Sequence, residues 1–214
     1  MPPYKFVAGE QVIKAQEVKR FPVLAAGPLF QRDPNIVQAF ESDDDFLGWA
    51  RTTELAAKLL KAHGASVAVR DKHRDGDHRE IAERQQKEFD EATEAVRTLA
   101  KKEGMALQSP ELFALIGKRW SLDPVLLFED VNLGGDVAFL SAGPWGWPNF
   151  TWMKRYRGGT WNDIASSGVA LGVGFLAEHI WFGGRKFWFG GLPFWSFNLT
   201  DFGFDDIASS AWLL

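Results

Sequence analysis

The end of the chain contains one sequence pattern twice, and this repeat restricts the possible folds more than any other feature. Residues 128–136 (FEDVNLGGD) align with residues 177–185 (AEHIWFGGR), and residues 161–167 (WNDIASS) align with residues 204–210 (FDDIASS). In the first copy Glu129 lies 33 residues before Asn162, and in the second copy Glu178 lies 27 residues before Asp205. The repeat indicates two copies of one folding unit that differ in loop length, a difference that costs little free energy.

Each copy has the pattern of short strands joined by tight turns. An apolar segment leads into a Gly-Gly pair, and an alternating segment follows it, Asp136–Leu140 in one copy and Arg185–Phe189 in the other. Gly-Gly pairs are frequent in hairpins, and alternation is typical of strands. Four strands per copy predict two Greek-key motifs that form a β-sandwich. The aromatic residues, including 8 of the 10 tryptophans within residues 121–214, are expected to fill its core rather than form a platform for carbohydrate or bases.

The stretch Asn/Asp-Asn/Asp-x-x-Ser-Ser occurs once in each copy, at residues 162–167 and 205–210. It resembles the calcium-binding stretch of microbial βγ-crystallins, and the hairpin that begins like a tyrosine corner and contains Gly-Gly is similar to that family too. The resemblance covers residues from about 125 to 214. It implies an all-β βγ-crystallin domain of two Greek-key motifs that binds calcium.

Oxygen atoms from carboxylates, amides, hydroxyls and backbone carbonyls suit calcium, which takes six to eight such ligands in flexible geometry. The resemblance implies two sites, each assembled from both copies. One site would use the carbonyls of Glu129 and Ile164 with side chains drawn from Asn162, Asp163 and Ser209. The other would use the carbonyls of Glu178 and Ile207 with side chains drawn from Asp205, Asp206 and Ser166.

An interpretation of the motif without bound metal also stays open, because Asn, Asp and Ser side chains stabilise turns and strand ends on their own. Some members of the family have lost calcium while keeping the fold. The second copy also departs from the first, since Ala177 stands where the first copy has Phe128. The aromatic corner of that hairpin is either missing or supplied by Phe175 in another register.

Composition changes near residue 120, which predicts a domain of residues 1–120 and a βγ-crystallin domain of residues 121–214. The first half resembles no family that we recognise, and its pattern predicts an α+β region that is mainly helical. Short strands are expected within Tyr4–Val18 and Phe21–Phe40. The remaining expected elements are a helix from Asp43 to His63 stopped by Gly64, a strand at Ser66–Arg70, a solvated loop at 71–77, a helix at His78–Lys102 stopped by Gly104, and a helix from Ser109 to Lys118.

Charge and cysteine content exclude several classes of function. The net charge of −4 gives no general attraction to nucleic acid or anionic membranes, so neither is expected as a partner. The absence of cysteine excludes disulfides, zinc–thiolate sites and cysteine nucleophiles. We expect a cytoplasmic protein, because the sequence shows neither a signal peptide nor an apolar stretch of membrane-spanning length.

Motifs of catalysis are missing from the sequence, so we expect no enzyme. There is no nucleophile elbow, phosphate loop, dinucleotide fingerprint or paired-histidine metalloprotease motif, and the spacing of His73 and His78 matches no well-defined metal site. The leading hypothesis is a calcium-binding structural or stress-related protein. Two alternatives are an interaction protein whose first half binds a protein partner, which an exposed apolar face on residues 109–118 would favour, and a protease inhibitor or toxin.

Overall fold

A computed structural model of the chain describes residues 4–31, 33–53, 55–73, 75–119, 124–191 and 193–214. Within the first half of these residues lie strands β1 (Lys5–Ala8), β2 (Gln11–Ile13), β3 (Val23–Ala26) and β4 (Ile36–Phe40), followed by helices α1 (Asp43–Ala50), α2 (Ala56–His73), α3 (Arg79–Glu103) and α4 (Pro110–Arg119). The second half contains strands β5 (Val125–Asp130), β6 (Gly134–Leu140), β7 (Ser167–Ala170), β8 (Val173–His179), β9 (Gly183–Gly190), β10 (Trp195–Asn198) and β11 (Ser210–Leu213). The predicted classes, α+β and then all-β, are confirmed. The predicted domain boundary at 120/121 lies outside the described residues.

Helices α3 and α4 follow the sequence signals that predicted them. Gly104, which ends α3, has the left-handed φ of 64° that favours glycine at this position. Pro110 begins α4, where its missing N–H group costs no hydrogen bond. The start of α1 is also set locally, because the Ser42 hydroxyl accepts a hydrogen bond from the Asp45 N–H at 3.1 Å.

The prediction of one helix from Asp43 to His63, followed by a strand at Ser66–Arg70, was wrong. Helix α1 ends early, where the hydroxyls of Thr52 and Thr53 donate to backbone carbonyls of its last turn at 2.7 and 2.8 Å. Helix α2 then continues through Gly64 to His73 and includes the residues expected to form a strand. It buries Leu59, Ala62 and Ser66 along one face, and this packing outweighs the cost of an internal glycine, about 1 kcal/mol.

The second half forms a sandwich in which the two copies exchange strands. The first sheet has the order β10-β7-β5-β6, so it contains β10 of the second copy beside three strands of the first. The second sheet contains β11, β8 and β9 of the second copy, and Trp147 of the first copy pairs with Ala211 of β11 through backbone hydrogen bonds of 2.7 and 2.9 Å. The predicted arrangement of two Greek-key motifs is confirmed.

Four strands of the first half extend the second sheet. Strand β3 pairs in parallel with β9, and the complete order is β11-β8-β9-β3-β4-β1-β2. The backbone N–H of Lys186 in β9 also donates to the Pro22 carbonyl at 2.7 Å. One continuous sheet therefore contains strands from both halves of the chain.

Helices cover the outer faces of both sheets, which gives four layers. Helices α1 and α2 pack on the second sheet, where Phe46 stacks on Trp188 with ring centroids 4.8 Å apart. Helices α3 and α4 pack on the first sheet, where Val96 and Ile116 contact a cluster that includes Phe128. Aromatic residues are thus buried as predicted, but they fill the outer helix–sheet layers as well as the space between the sheets.

The aromatic corner that Ala177 lacks is supplied without a change of register. Both hairpins contain the same irregularity, after Phe128 in the first and after Ala177 in the second. Phe175 lies two residues before Ala177 on the same helix-facing side of β8. Its ring packs against Phe182 at 6.2 Å and Trp188 at 4.6 Å, so an aromatic ring two residues before Ala177 occupies this corner.

Candidate calcium sites

The first hairpin holds Glu129 beside the serines of its own copy. The Ser166 N–H donates to the Phe128 carbonyl at 3.0 Å, and the Ser167 hydroxyl donates to the Asp130 carbonyl at 2.6 Å. Because these two bonds lie on either side of Glu129 in sequence, they place its backbone next to Ser166. The pairing follows from the sheet, in which Ser167 of β7 lies opposite Phe128 of β5.

The second hairpin repeats this geometry around Glu178. The Ser209 N–H donates to the Ala177 carbonyl at 2.9 Å, and the Ser210 hydroxyl donates to the His179 carbonyl at 2.7 Å. The last serine of each stretch, Ser167 or Ser210, is fully buried and ties the stretch to its hairpin. Both serines belong to the repeated motif, but the motif alone does not indicate this role.

Side chains of the two copies meet in two reciprocal pairs. The Ser166 hydroxyl donates to Asp206 Oδ1 at 3.2 Å, and the Ser209 hydroxyl donates to Asp163 Oδ1 at 2.9 Å. Backbone bonds run alongside, from the Asp163 N–H to the Ala208 carbonyl at 3.1 Å and from the Asp206 N–H to the Ala165 carbonyl at 3.2 Å. Each pair thus joins an Asp of one copy to a Ser of the other, the combination that the resemblance implied.

The hairpin glutamates lie beside the serine stretch of their own copy, Glu129 beside residues 162–167 and Glu178 beside residues 205–210. The grouping of the ligands stays as the resemblance implied. We define the Glu129 site as Glu129, Asp163 and Ser209, and the Glu178 site as Glu178, Asp206 and Ser166. In each site the Asp and Ser side chains come from different copies and are hydrogen-bonded to each other.

The first Asn/Asp of each stretch carries an oxygen without a hydrogen-bond partner among the described residues. These atoms are Oδ1 of Asn162 and Oδ1 of Asp205, and both are buried. The amide nitrogen of Asn162 donates to Asp163 Oδ2 at 2.7 Å, which leaves its oxygen as the free group. Buried polar atoms usually have partners. Two orphaned oxygens at equivalent positions therefore fit a bound cation.

The charge around Asp206 also fits a cation. Burial raises the pKa of Asp206, and the carboxylate of Asp205 raises it further, with smaller contributions in the same direction from Asp163 and Asp130. The hydrogen bond from Ser166 partly opposes this rise. The ionised form of Asp206 is thus disfavoured by its surroundings, and a positive ion among these carboxylates would stabilise it.

The backbone of both stretches has the same special conformation. Asp163 and Asp206 have left-handed φ values of 54° and 51°, which Asp tolerates better than most residues. Their neighbours Ile164 and Ile207 pack against the core between the sheets. The two stretches are therefore fixed by packing on one side and by the serine bonds on the other.

The carboxylates of Glu129 and Glu178 turn back onto their own hairpins. They accept hydrogen bonds from the N–H groups of Asp136 and Arg185, both at 3.1 Å, and Glu129 also pairs with Arg155. This leaves the backbone carbonyl, rather than the side chain, as the group that each Glu would offer to a metal. No sequence motif pointed to Arg155, which lies in the longer connection of the first copy.

Metal chemistry based on charged side chains alone finds no support here. Among the residues that the structure describes, no three or more His, Cys, Asp or Glu side chains form a group that could hold a metal ion. Carbonyl, hydroxyl and amide oxygens would have to complete the coordination in both sites. Such mixed oxygen ligands suit calcium and do not suit zinc.

Several solved structures are similar to part of this chain. A βγ-crystallin from an archaeon is 24% identical with a TM-score of 0.36, and covers 44% of this chain and 100% of its own. A βγ-crystallin of Ciona intestinalis is 26% identical with a TM-score of 0.34, covering 42% and 99%. Spherulin 3a of Physarum polycephalum is 22% identical with a TM-score of 0.30, covering 42% and 81%. No family model and no curated protein matches the chain.

Part of this chain is similar to βγ-crystallin domains. Each similarity covers less than half of the chain. No helix among the described residues is long and apolar enough to cross a membrane.

Proposed function

We propose that this protein is a non-enzymatic calcium-binding protein of the βγ-crystallin type, with one calcium ion at the Glu129 site and one at the Glu178 site. The observation that supports this most directly is the reciprocal pairing of Ser166 with Asp206 and of Ser209 with Asp163. Each pair lies beside a hairpin glutamate and near an orphaned Asn or Asp oxygen. The two sites therefore have equivalent donors in equivalent places.

Calcium would act by joining the two copies. In each site the hydroxyl and the carboxylate come from different Greek-key motifs, so only the folded sandwich brings them together. A ligand that binds only the native state stabilises it by about 2.7 kcal/mol when its free concentration is a hundredfold above Kd. Calcium would thereby raise the free energy of unfolding.

Replacing both hydroxyls tests this proposal. We expect calcium to raise the Tm of the unmodified chain and to give binding heat in a calorimetric titration. The double variant Ser166→Arg plus Ser209→Arg should lose both effects, because each guanidinium places a positive charge in a site. The control is Thr200→Arg, an exposed position of the same domain, which should keep them.

A titration of the unmodified chain with neither binding heat nor a shift in Tm would overturn the proposal. The alternative of a protein partner on residues 109–118 gains no support, because that apolar face is covered. Leu112, Phe113 and Ile116 are all buried against the first sheet.

A further inference from the structure

The two hairpin tips have the same backbone but different residues. Asn132 and Leu133 have φ values of 56° and 63°, and the equivalent Trp181 and Phe182 have values of 57° and 61°. Asparagine adopts this left-handed conformation readily, whereas a bulky side chain does so at a cost of about 1–2 kcal/mol. The tip of the second hairpin therefore has a conformation that Trp181 itself disfavours.

The first tip is held by the sandwich. The Asn132 N–H donates to Asn198 Oδ1 at 2.7 Å, and the Asn198 amide donates back to Asn132 Oδ1 at 3.0 Å. Asn198 belongs to β10 of the same β-sandwich. Asn132 itself is a polar, exposed residue, so its side chain does not require burial by another element.

The second tip is held in part by the helical region. Trp181 is only 5% exposed, and its ring lies 4.6 Å from that of His78 and 5.9 Å from that of Trp152, measured between centroids. Its N–H donates to the Pro148 carbonyl at 2.6 Å. His78 immediately precedes α3, at the position where the predicted helix begins after the solvated loop. Instead of facing only water, this histidine covers the hairpin.

The tip is connected to Glu178 through one buried serine. The Ser210 hydroxyl accepts from the Phe182 N–H at 3.1 Å and donates to the His179 carbonyl at 2.7 Å. A change in the conformation of Trp181 or Phe182 would break the first bond and loosen the second. The residue next to that carbonyl is Glu178, so the position of the proposed ligand depends on the tip.

We infer that His78 is a positioning residue for the Glu178 site: by packing on Trp181 it lets the helical region hold the second hairpin in its calcium-binding conformation. The Glu129 site has no such dependence, because Asn198 holds its hairpin tip. The calcium part of this inference rests on the function proposed above. It makes the two sites unequal in their dependence on the helical region, although their donors are alike.

Removal of the His78 ring tests the inference at each site separately. Ser209→Arg leaves only the Glu178 site, and Ser166→Arg leaves only the Glu129 site. We expect His78→Ala to weaken calcium binding about tenfold in the first background and less than about twofold in the second. His73→Ala is the matched control, because the His73 ring packs on Trp145 rather than on the hairpin.

A repaired hairpin provides a second comparison. Trp181→Asn gives the second tip the residue that the first tip has. In this background His78→Ala should have no further effect, because the tip no longer needs the cover. Equal weakening of both sites by His78→Ala, or of neither, would overturn the inference.

Hydrogen exchange of the calcium-free chain separates this inference from the proposed function. The N–H groups of Trp181, Phe182, Asn132 and Leu133 are all hydrogen-bonded, so their exchange reports opening of each tip. His78→Ala should speed exchange at Trp181 and Phe182 only. Unchanged exchange would overturn the role of His78, whereas a failure of the unmodified chain to bind calcium would overturn the proposed function.

Discussion

Asp206 is both a proposed calcium ligand and a carboxylate that other acidic side chains surround. Its carboxylate accepts a hydrogen bond from Ser166, and it interacts with the carboxylates of Asp205, Asp163 and Asp130. Without a cation the ionised group is unfavourable, since burial and these neighbours raise its pKa. The same residue is expected to weaken the metal-free protein and to strengthen the metal-bound one.

The variant Asp206→Asn separates these two effects. Without calcium we expect a small rise in Tm, about 1–2 °C, because the Asn oxygen can still accept from Ser166 while the exposed charge is lost. Calcium affinity at the Glu178 site should fall by about tenfold or more, because a carboxylate ligand is lost. Scanning calorimetry with chelator and calcium titration measure the two quantities.

Asp163→Asn is the matched variant of the Glu129 site and should lower calcium affinity there instead. A fall in Tm of calcium-free Asp206→Asn, or unchanged calcium affinity, would contradict this assignment.

At the scale of elements, α1 and α2 meet the second sheet through a polar cluster as well as an apolar one. Lys186 of β9 is buried and pairs with Asp43 of α1 at 2.6 Å, while the second Asp43 oxygen and Nδ1 of His63 are buried without hydrogen-bond partners in the described part of the chain. Burial lowers the pKa of His63, Asp43 opposes this, and Lys186, followed by Arg70, lowers it further. The imidazole is therefore neutral in the folded state at pH values where part of the unfolded ensemble is protonated.

This lowered pKa predicts loss of stability in acid. A base whose pKa is lower in the folded than in the unfolded state binds more protons when unfolded, so the free energy of unfolding falls as pH drops below the unfolded value of 6.5. We expect urea midpoints to decrease between about pH 7.5 and pH 5.5, and the decrease to be smaller in His63→Gln.

His73 also has a lowered pKa, caused by burial and by Lys72 and His78, so part of the pH dependence should remain in His63→Gln. Identical pH profiles for the variant and the unmodified chain would show that His63 does not report on this interface.

At the scale of the whole molecule, the two halves of the sequence share their sheets and cores. Strand β3 continues the sheet that contains β9, and Phe46 of α1 stacks on Trp188 of that strand. On the other side, Phe128 and Phe139 of the sandwich are buried with residues of α3 and α4. Removing either half would expose large aromatic side chains of the other, each of which contributes roughly 1.5–3 kcal/mol by burial.

Shared cores predict cooperative unfolding of the full chain. We expect one calorimetric transition, equal calorimetric and van't Hoff enthalpies, and a shift of that single transition by calcium. Tryptophan fluorescence and far-UV circular dichroism should give the same midpoint, although the helices lie mainly in one half of the sequence and the tryptophans in the other. Two separate transitions, of which calcium moves only one, would show that the halves unfold independently.

Prediction from sequence succeeded where a local signal had one structural meaning. The repeat predicted two Greek-key motifs, Gly104 and Pro110 marked helix ends, and the serine stretches identified pairs that join the two copies. It failed at Gly64, because glycine is only a weak helix stop when the residues around it can bury one face of a helix. The alternation of Val67 and Val69 is typical of a strand, but packing on the second sheet places both residues in helix α2.

The sequence by itself determined the two sandwich motifs and the residue types of the candidate sites, because turns, alternation and oxygen-bearing side chains are properties of short segments. Only the tertiary structure decided that strands of the first half extend the second sheet, that helices cover both sheets, and that His78 packs on Trp181. These are contacts between residues far apart in the chain. Their formation depends on which apolar surfaces can be buried together, and no single segment contains that information.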